Sequence, residues 1–137
     1  MIQTLNKLID RGYWQEKIEA SKALASLYQT FREDIKDPFS LIIHHQIDAL
    51  NDPRPEVRTA ITKLLATYGL VNDDILLTLI CRLADTDAAV KEAAIKSLSH
   101  LGIASKESLR DAMIRLQMLS GTHFNVYSNS TYLDVND

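Results

Sequence analysis

The chain is poor in the residues that punctuate β-rich folds. Among 137 residues there are four glycines and three prolines, too few for a sandwich or barrel of many short strands, and the scarcity favours helices. A single cysteine, Cys81, excludes an intramolecular disulfide, so a reducing compartment, by default the cytoplasm, is expected. No run approaches the roughly 18 apolar residues of a membrane span, and the opening MIQTLNKLIDRGYW has no basic leader followed by an apolar core. The chain is therefore expected to be soluble. Basic excess is also missing: the net charge is −3 and the pI near 5.8, a field that serves neither general nucleic-acid binding nor membrane-surface attachment. The sequence has no Gly-rich phosphate loop, paired-Cys metal site or nucleophile elbow, so no catalytic residues, metal or cofactor are expected.

What the chain does have is a repetition. DPRPEVRTAITKLLATYG, residues 52–69, returns thirty-three residues later as DTDAAVKEAAIKSLSHLG, residues 85–102. At that offset Asp52 becomes Asp85, Val57 becomes Val90, Arg58 becomes Lys91, Lys63 becomes Lys96, Leu65 becomes Leu98 and Gly69 becomes Gly102. Within the second copy Val90, Ala93, Ala94, Ser97, Leu98 and Leu101 recur at three-and-four spacing, which predicts an amphipathic helix. Upstream, Leu76, Leu79, Ile80 and Leu83 mark another, with Asn72 or Asp73 as N-cap. Each unit is therefore read as two helices joined by a tight turn. One more first helix follows, aligning Leu109 with Leu76 and Met113 with Ile80, but its partner does not recur. Backwards, EKIEASKALASLY aligns Lys17 with Arg58 and Leu24 with Leu65 at forty-one residues. The eight extra residues fit in QTFREDIKDPFS, where Asp37-Pro38 reads as an N-cap followed by proline at the first helical position. The reading is all-α: three helix pairs and one terminal helix.

An Asp in the turn, then Val-Arg or Val-Lys, Ala, Leu and a closing Gly resembles the HEAT-repeat family, armadillo-like helical proteins among the α-solenoids. The resemblance implies a right-handed α-solenoid of about three and a half helix pairs over residues 1–119, followed by a polar, flexible tail over 120–137. It implies that Asp52 with Arg58, and Asp85 with Lys91, form a structural ladder of hydrogen bonds along the turns. It also implies a protein-binding scaffold or adaptor that takes its partner on the surface of the second helices. Two other classes use HEAT-like folds: nucleic-acid-binding proteins, which need a dense basic groove, and cofactor lyases or chaperones.

Candidate site residues follow from the helical wheel. With a core stripe at Glu16, Ala20, Ala23, Leu24 and Leu27, Lys22 falls nearly opposite the core, and Lys63 and Lys96 are its equivalents. Ile18, Thr59 and Glu92 flank this lysine row, with the small Ala25, Ala66 and Ser99 in the next position. The row suits an acidic peptide or helix. His44 and His45, adjacent on a helix, cannot chelate one ion from one face; His44 and Asp48, four apart, can pair. Cys81 is expected to be a packed thiol. The open last helix is expected to be an apolar strip, available for self-association unless the tail covers it.

Overall fold

The computed structural model describes residues 1–117, so the expectations for the tail lie outside the described residues. All regular structure among them is helical. The helices are α1 (Ile2–Arg11), α2 (Trp14–Thr30), α3 (His44–Asp48), α4 (Pro55–Thr67), α5 (Asp73–Arg82), α6 (Ala88–His100) and α7 (Lys106–Arg115). A π turn over Phe39–Ile43 leads into α3, and a 3-10 turn over Ala49–Asn51 leaves it. The thirty-three-residue period holds at both ends of each element, because α4 shifted by that amount is α6 and α5 so shifted is α7. The forty-one-residue offset holds at the start of α2, which lies that far before Pro55, but α2 has 17 residues against 13 in α4. The chain forms two compact units, one up to Gly69 and one from Leu70.

In the first unit α2 packs on both α1 and α4, and α3 lies against α1 and α4. Ile9, Leu24, Ile42, Ile43, Val57, Ile61 and Leu65 fill the core. Local chemistry sets the helix ends. The Tyr13 N–H donates to Glu16 Oε1 at 2.8 Å at the start of α2. Pro55 occupies the first turn of α4, where its missing N–H costs nothing. Asp37 Oδ1 accepts the Ser40 N–H at 3.2 Å, and Pro38 opens the third helical stretch as the sequence suggests. The π turn then widens the backbone, with the His44 N–H reaching back to Phe39 O. Asn6 Nδ2 ties α1 to this turn by donating to Leu41 O at 2.9 Å.

The buried face of α2 differs from the expected stripe. Ala20, Ser21, Leu24, Ala25 and Tyr28 are buried, while Glu16 is exposed and used in the cap. The face is rotated by about a quarter turn. The reason is that α2 has helices on two sides, so burial extends toward Ser21 and Ala25, and the Ser21 hydroxyl satisfies itself on Lys17 O at 2.7 Å. Ala25 and Ala66 are therefore core residues rather than open space beside the lysines; of the three small residues only Ser99 is exposed.

In the second unit α5 packs on α6 around Ile75, Leu76, Leu79, Ile80, Val90, Ala94 and Leu98. Each helix has its own cap. Asn72 Oδ1 accepts the Ile75 N–H, Asp87 Oδ1 accepts the Ala89 and Val90 N–H groups, and Ser105 and Ser108 cap each other reciprocally. Leu109, Ala112 and Met113 of α7 are buried, and Arg115 pairs with Asp73 at the start of α5. The exposed face of α7 is polar except for Ile114, so the expected apolar strip reduces to one large side chain among the described residues.

Candidate functional site

The three lysines sit at equivalent places on α2, α4 and α6, and all are solvent-exposed. Lys22 and Lys63 belong to the first unit, where Ile18 and Thr59 beside them are half-buried; Lys96 and the exposed Glu92 belong to the second. Two of them stand beside a carboxylate. Lys22 Nζ is 3.6 Å from Glu19, and Lys96 Nζ is 3.3 Å from Glu92, with the side chains of Lys22 and Lys96 58% and 72% exposed. Exposed pairs of this kind contribute little to stability and exchange readily for other partners.

The ladder residues are arranged differently from the expected pairing. Asp52 turns its carboxylate to Lys17, the residue of the preceding helix pair that aligns with Arg58, at 2.7 Å and with only 10% of the Asp52 side chain exposed. Arg58 instead donates to the backbone carbonyls of Asp52 and Pro53 at 3.0 and 2.9 Å. The rung thus joins a cation of one pair to the aspartate of the next. The second Asp52 oxygen accepts the Arg54 N–H at 2.8 Å, and Asp85 repeats this with the Asp87 N–H at 2.9 Å, so each aspartate also folds its own turn. Burial by itself raises the Asp52 pKa, but the Lys17 hydrogen bond, the Arg54 N–H and the two positive charges outweigh it and leave the carboxyl below its ordinary value. Lys91 is half-buried on α6.

The histidines do not make the expected pair with Asp48. His44 Nδ1 faces Phe39 O at 3.4 Å, a consequence of the π turn, and His45 Nδ1 lies 3.0 Å from Asp10 on α1. Their ring centroids lie 4.1 Å apart, with the planes tilted by 40°. Burial pushes the Cys81 thiol above its ordinary pKa despite the opposing charge of Arg82, which keeps it neutral and suits a packed thiol. Among the described residues no group of acidic, His or Cys side chains is placed to hold a metal.

One feature of the site has no counterpart in the sequence reading. A notch of about 330 Å³ opens at the turn edge of the first unit. Ile9, Ala49 and Pro53 give it an apolar floor, and Asp10, Asp48, Asn51 and the Lys17–Asp52 pair give it polar walls. Beside it the Arg54 guanidinium lies 4.8 Å over the Trp14 ring, and Tyr13 is 80% exposed. The residues of the notch come from two segments about forty positions apart, and only the forty-one-residue alignment of Lys17 hints that they meet.

Two helix pairs thirty-three residues apart, each joined by an aspartate-built turn and closed by a left-handed glycine, define a helical-repeat protein. The HEAT-repeat family model matches residues 43–118, more than half of the chain, and the chain belongs to that family. Its fold class is accordingly the all-α solenoid. No curated protein matches the chain. No helix among the described residues is long and apolar enough to cross a membrane.

Proposed function

We propose that this HEAT-repeat chain is a non-catalytic scaffold or adaptor, working in the cytoplasm, that holds a partner protein on the second helices α2, α4 and α6. HEAT repeats are generally protein-interaction scaffolds. The supporting observation is that Lys22, Lys63 and Lys96, equivalent across the repeats, are all exposed. The partner is an acidic peptide or helix that displaces Glu19 and Glu92 from their lysines. Binding resides in residues 1–119, and the 120–137 tail is a polar appendage.

The test begins with a partner captured by the full chain and identified by mass spectrometry. Lys22→Glu, Lys63→Glu and Lys96→Glu together should weaken its binding at least about tenfold, mostly at low salt. The melting transition should hardly move, because exposed substitutions stay within about 0.5 kcal/mol. Glu19→Gln with Glu92→Gln should strengthen binding. A triple lysine variant of unchanged affinity removes this surface from the proposal.

A further inference from the structure

We infer that Arg32, a residue outside the lysine row, anchors a carboxylate of the partner on the first unit, and that the partner segment bound there is extended. The inference rests on the second-helix reading above and adds to it. Its source is the last turn of α2. That helix has 17 residues against 13 in α4, so residues 27–30 have no counterpart at the forty-one-residue offset. The end of any helix leaves carbonyls without an intrahelical donor, and here the extra turn supplies one. Gln29 Nε2 donates to Thr67 O, in the last turn of α4, at 2.7 Å. The oxygen of the same amide accepts Arg32 Nη2 at 2.7 Å, and the Arg32 guanidinium lies 5.3 Å from the centre of the Tyr28 ring. An exposed guanidinium is thus held in place where α2 and α4 end, beside helix C-termini that favour a cation.

Held there, Arg32 keeps free donors. A guanidinium has five, and Gln29 takes one. Arg32 makes no ion pair with the described residues, the adjacent Glu33 and Asp34 included, and Lys63 makes none either. The rest of the face follows from helical spacing. Lys22, Ser26 and Gln29 stand in line on α2, Lys63 and Thr67 on α4, and all five are exposed. Residues 20–32 and 57–72 contain no aspartate or glutamate. Glu19, one turn back, pairs with Lys22 at 3.6 Å, and Arg58, the other cation of these stretches, donates to the Asp52 and Pro53 carbonyls. The acceptor that fits the free donors is a carboxylate, which a guanidinium can grip with two hydrogen bonds. None of the large apolar side chains of α2 or α4 is exposed, so an amphipathic helix finds no such side chain to bury here. An extended segment needs none. The seven residues of helix from Lys22 to Gln29 rise about 10 Å, a length that three residues of extended chain span, so acidic side chains three apart match the cations.

The experiment follows backbone amide shifts of the full chain by NMR during titration with acetyl-Glu-Gly-Ser-Glu-Gly-Ser-Glu-amide. Two comparison peptides are used: the same sequence with glutamine for glutamate, and an alanine-rich helix carrying three glutamates at seven-residue spacing. The expected result is saturable shifts at Ser26, Gln29, Arg32 and Thr67 with the first peptide, at least about tenfold weaker binding of the glutamine peptide, weaker binding of the helix, and loss of affinity as salt rises. Arg32→Lys keeps the charge without the planar fork and should weaken binding about tenfold while the spectrum elsewhere superposes. Full affinity in Arg32→Lys, with Lys63→Glu still weakening the peptide, overturns the role of Arg32 and leaves the lysine surface standing. The captured partner and the triple lysine variant test that surface separately. Equal binding of the glutamine peptide or the helix, shifts that map elsewhere, or no saturable shift would each overturn the assignment. Shifts at these amides that follow protein concentration alone give the face to a second copy and overturn it as well.

Discussion

Tyr68 closes α4 with a phenol that cannot reach water. Its hydroxyl accepts from Gln46 Nε2 at 2.6 Å, its ring lies 5.3 Å from that of Tyr28, and both Tyr68 and Gln46 are buried. Burial pushes its pKa up to about 12, overriding the Gln46 hydrogen bond, with a further push from Tyr28. A pKa raised in the folded state means that ionisation favours the unfolded chain. Stability is therefore complete below pH 10 and falls between about 10 and 12, by roughly 2–3 kcal/mol. Ultraviolet titration should show one tyrosine ionising late, and denaturant melts across that window should show the loss. Tyr68→Phe should remove the late-titrating group and most of that pH-dependent loss. At neutral pH it should cost about 1–3 kcal/mol, because the Gln46 amide is left buried without its partner. Little of this was legible beforehand. Gln46 reads as one polar residue in IIHHQIDAL, and nothing local links it to a tyrosine 22 positions on.

At the scale of elements, repetition made the helices legible and packing decided their faces. The starts and ends of α4 and α6 follow from Pro55, Asp87, Gly69 and Gly102, residues whose own backbone preferences end or begin a helix. Periodicity likewise places Leu65 and Leu98 in the core, where both are fully buried. Leu65→Ala or Leu98→Ala should each destabilise by roughly 2–5 kcal/mol, the transfer cost plus the cavity. A loss below about 0.5 kcal/mol in urea melts is a surface value and contradicts that placement. The α2 face was misjudged because a periodic stripe describes one contact, whereas α2 has two neighbours. The π turn was not legible either, since a widened turn carries no residue signature; it redirected His44 to Phe39 and left His45 to meet Asp10. The notch depends on the same kind of distant meeting, between residues 9–17 and 48–53.

For the whole molecule, the long-range field separates a protein-binding chain from a nucleic-acid-binding one. The net charge is −3, and Glu16, Glu19, Glu56 and Glu92 interrupt the basic residues of the second helices. Binding to phosphate backbones draws on released counterions and needs several unopposed cations. The full chain should therefore give no retarded band with duplex DNA or RNA at about 0.15 M salt, near the ionic strength at which charges more than about 8 Å apart are screened. A retarded band that disappears steeply with added salt would favour the nucleic-acid class instead. The glycines that end α4 and α6 carry a different implication. Gly69 and Gly102 both take positive φ, +69° and +95°, with no atom within 4 Å of a Cβ placed there. In both places the next N-cap comes three residues later, Asn72 and Ser105, and the next helix one residue after that. The backbone thus passes through the same left-handed step at both junctions, a step costly for any residue with a side chain. A tract of thirty-three codons is consequently a unit that gene duplication can add, or deletion remove, with each splice falling on a joint the chain already makes.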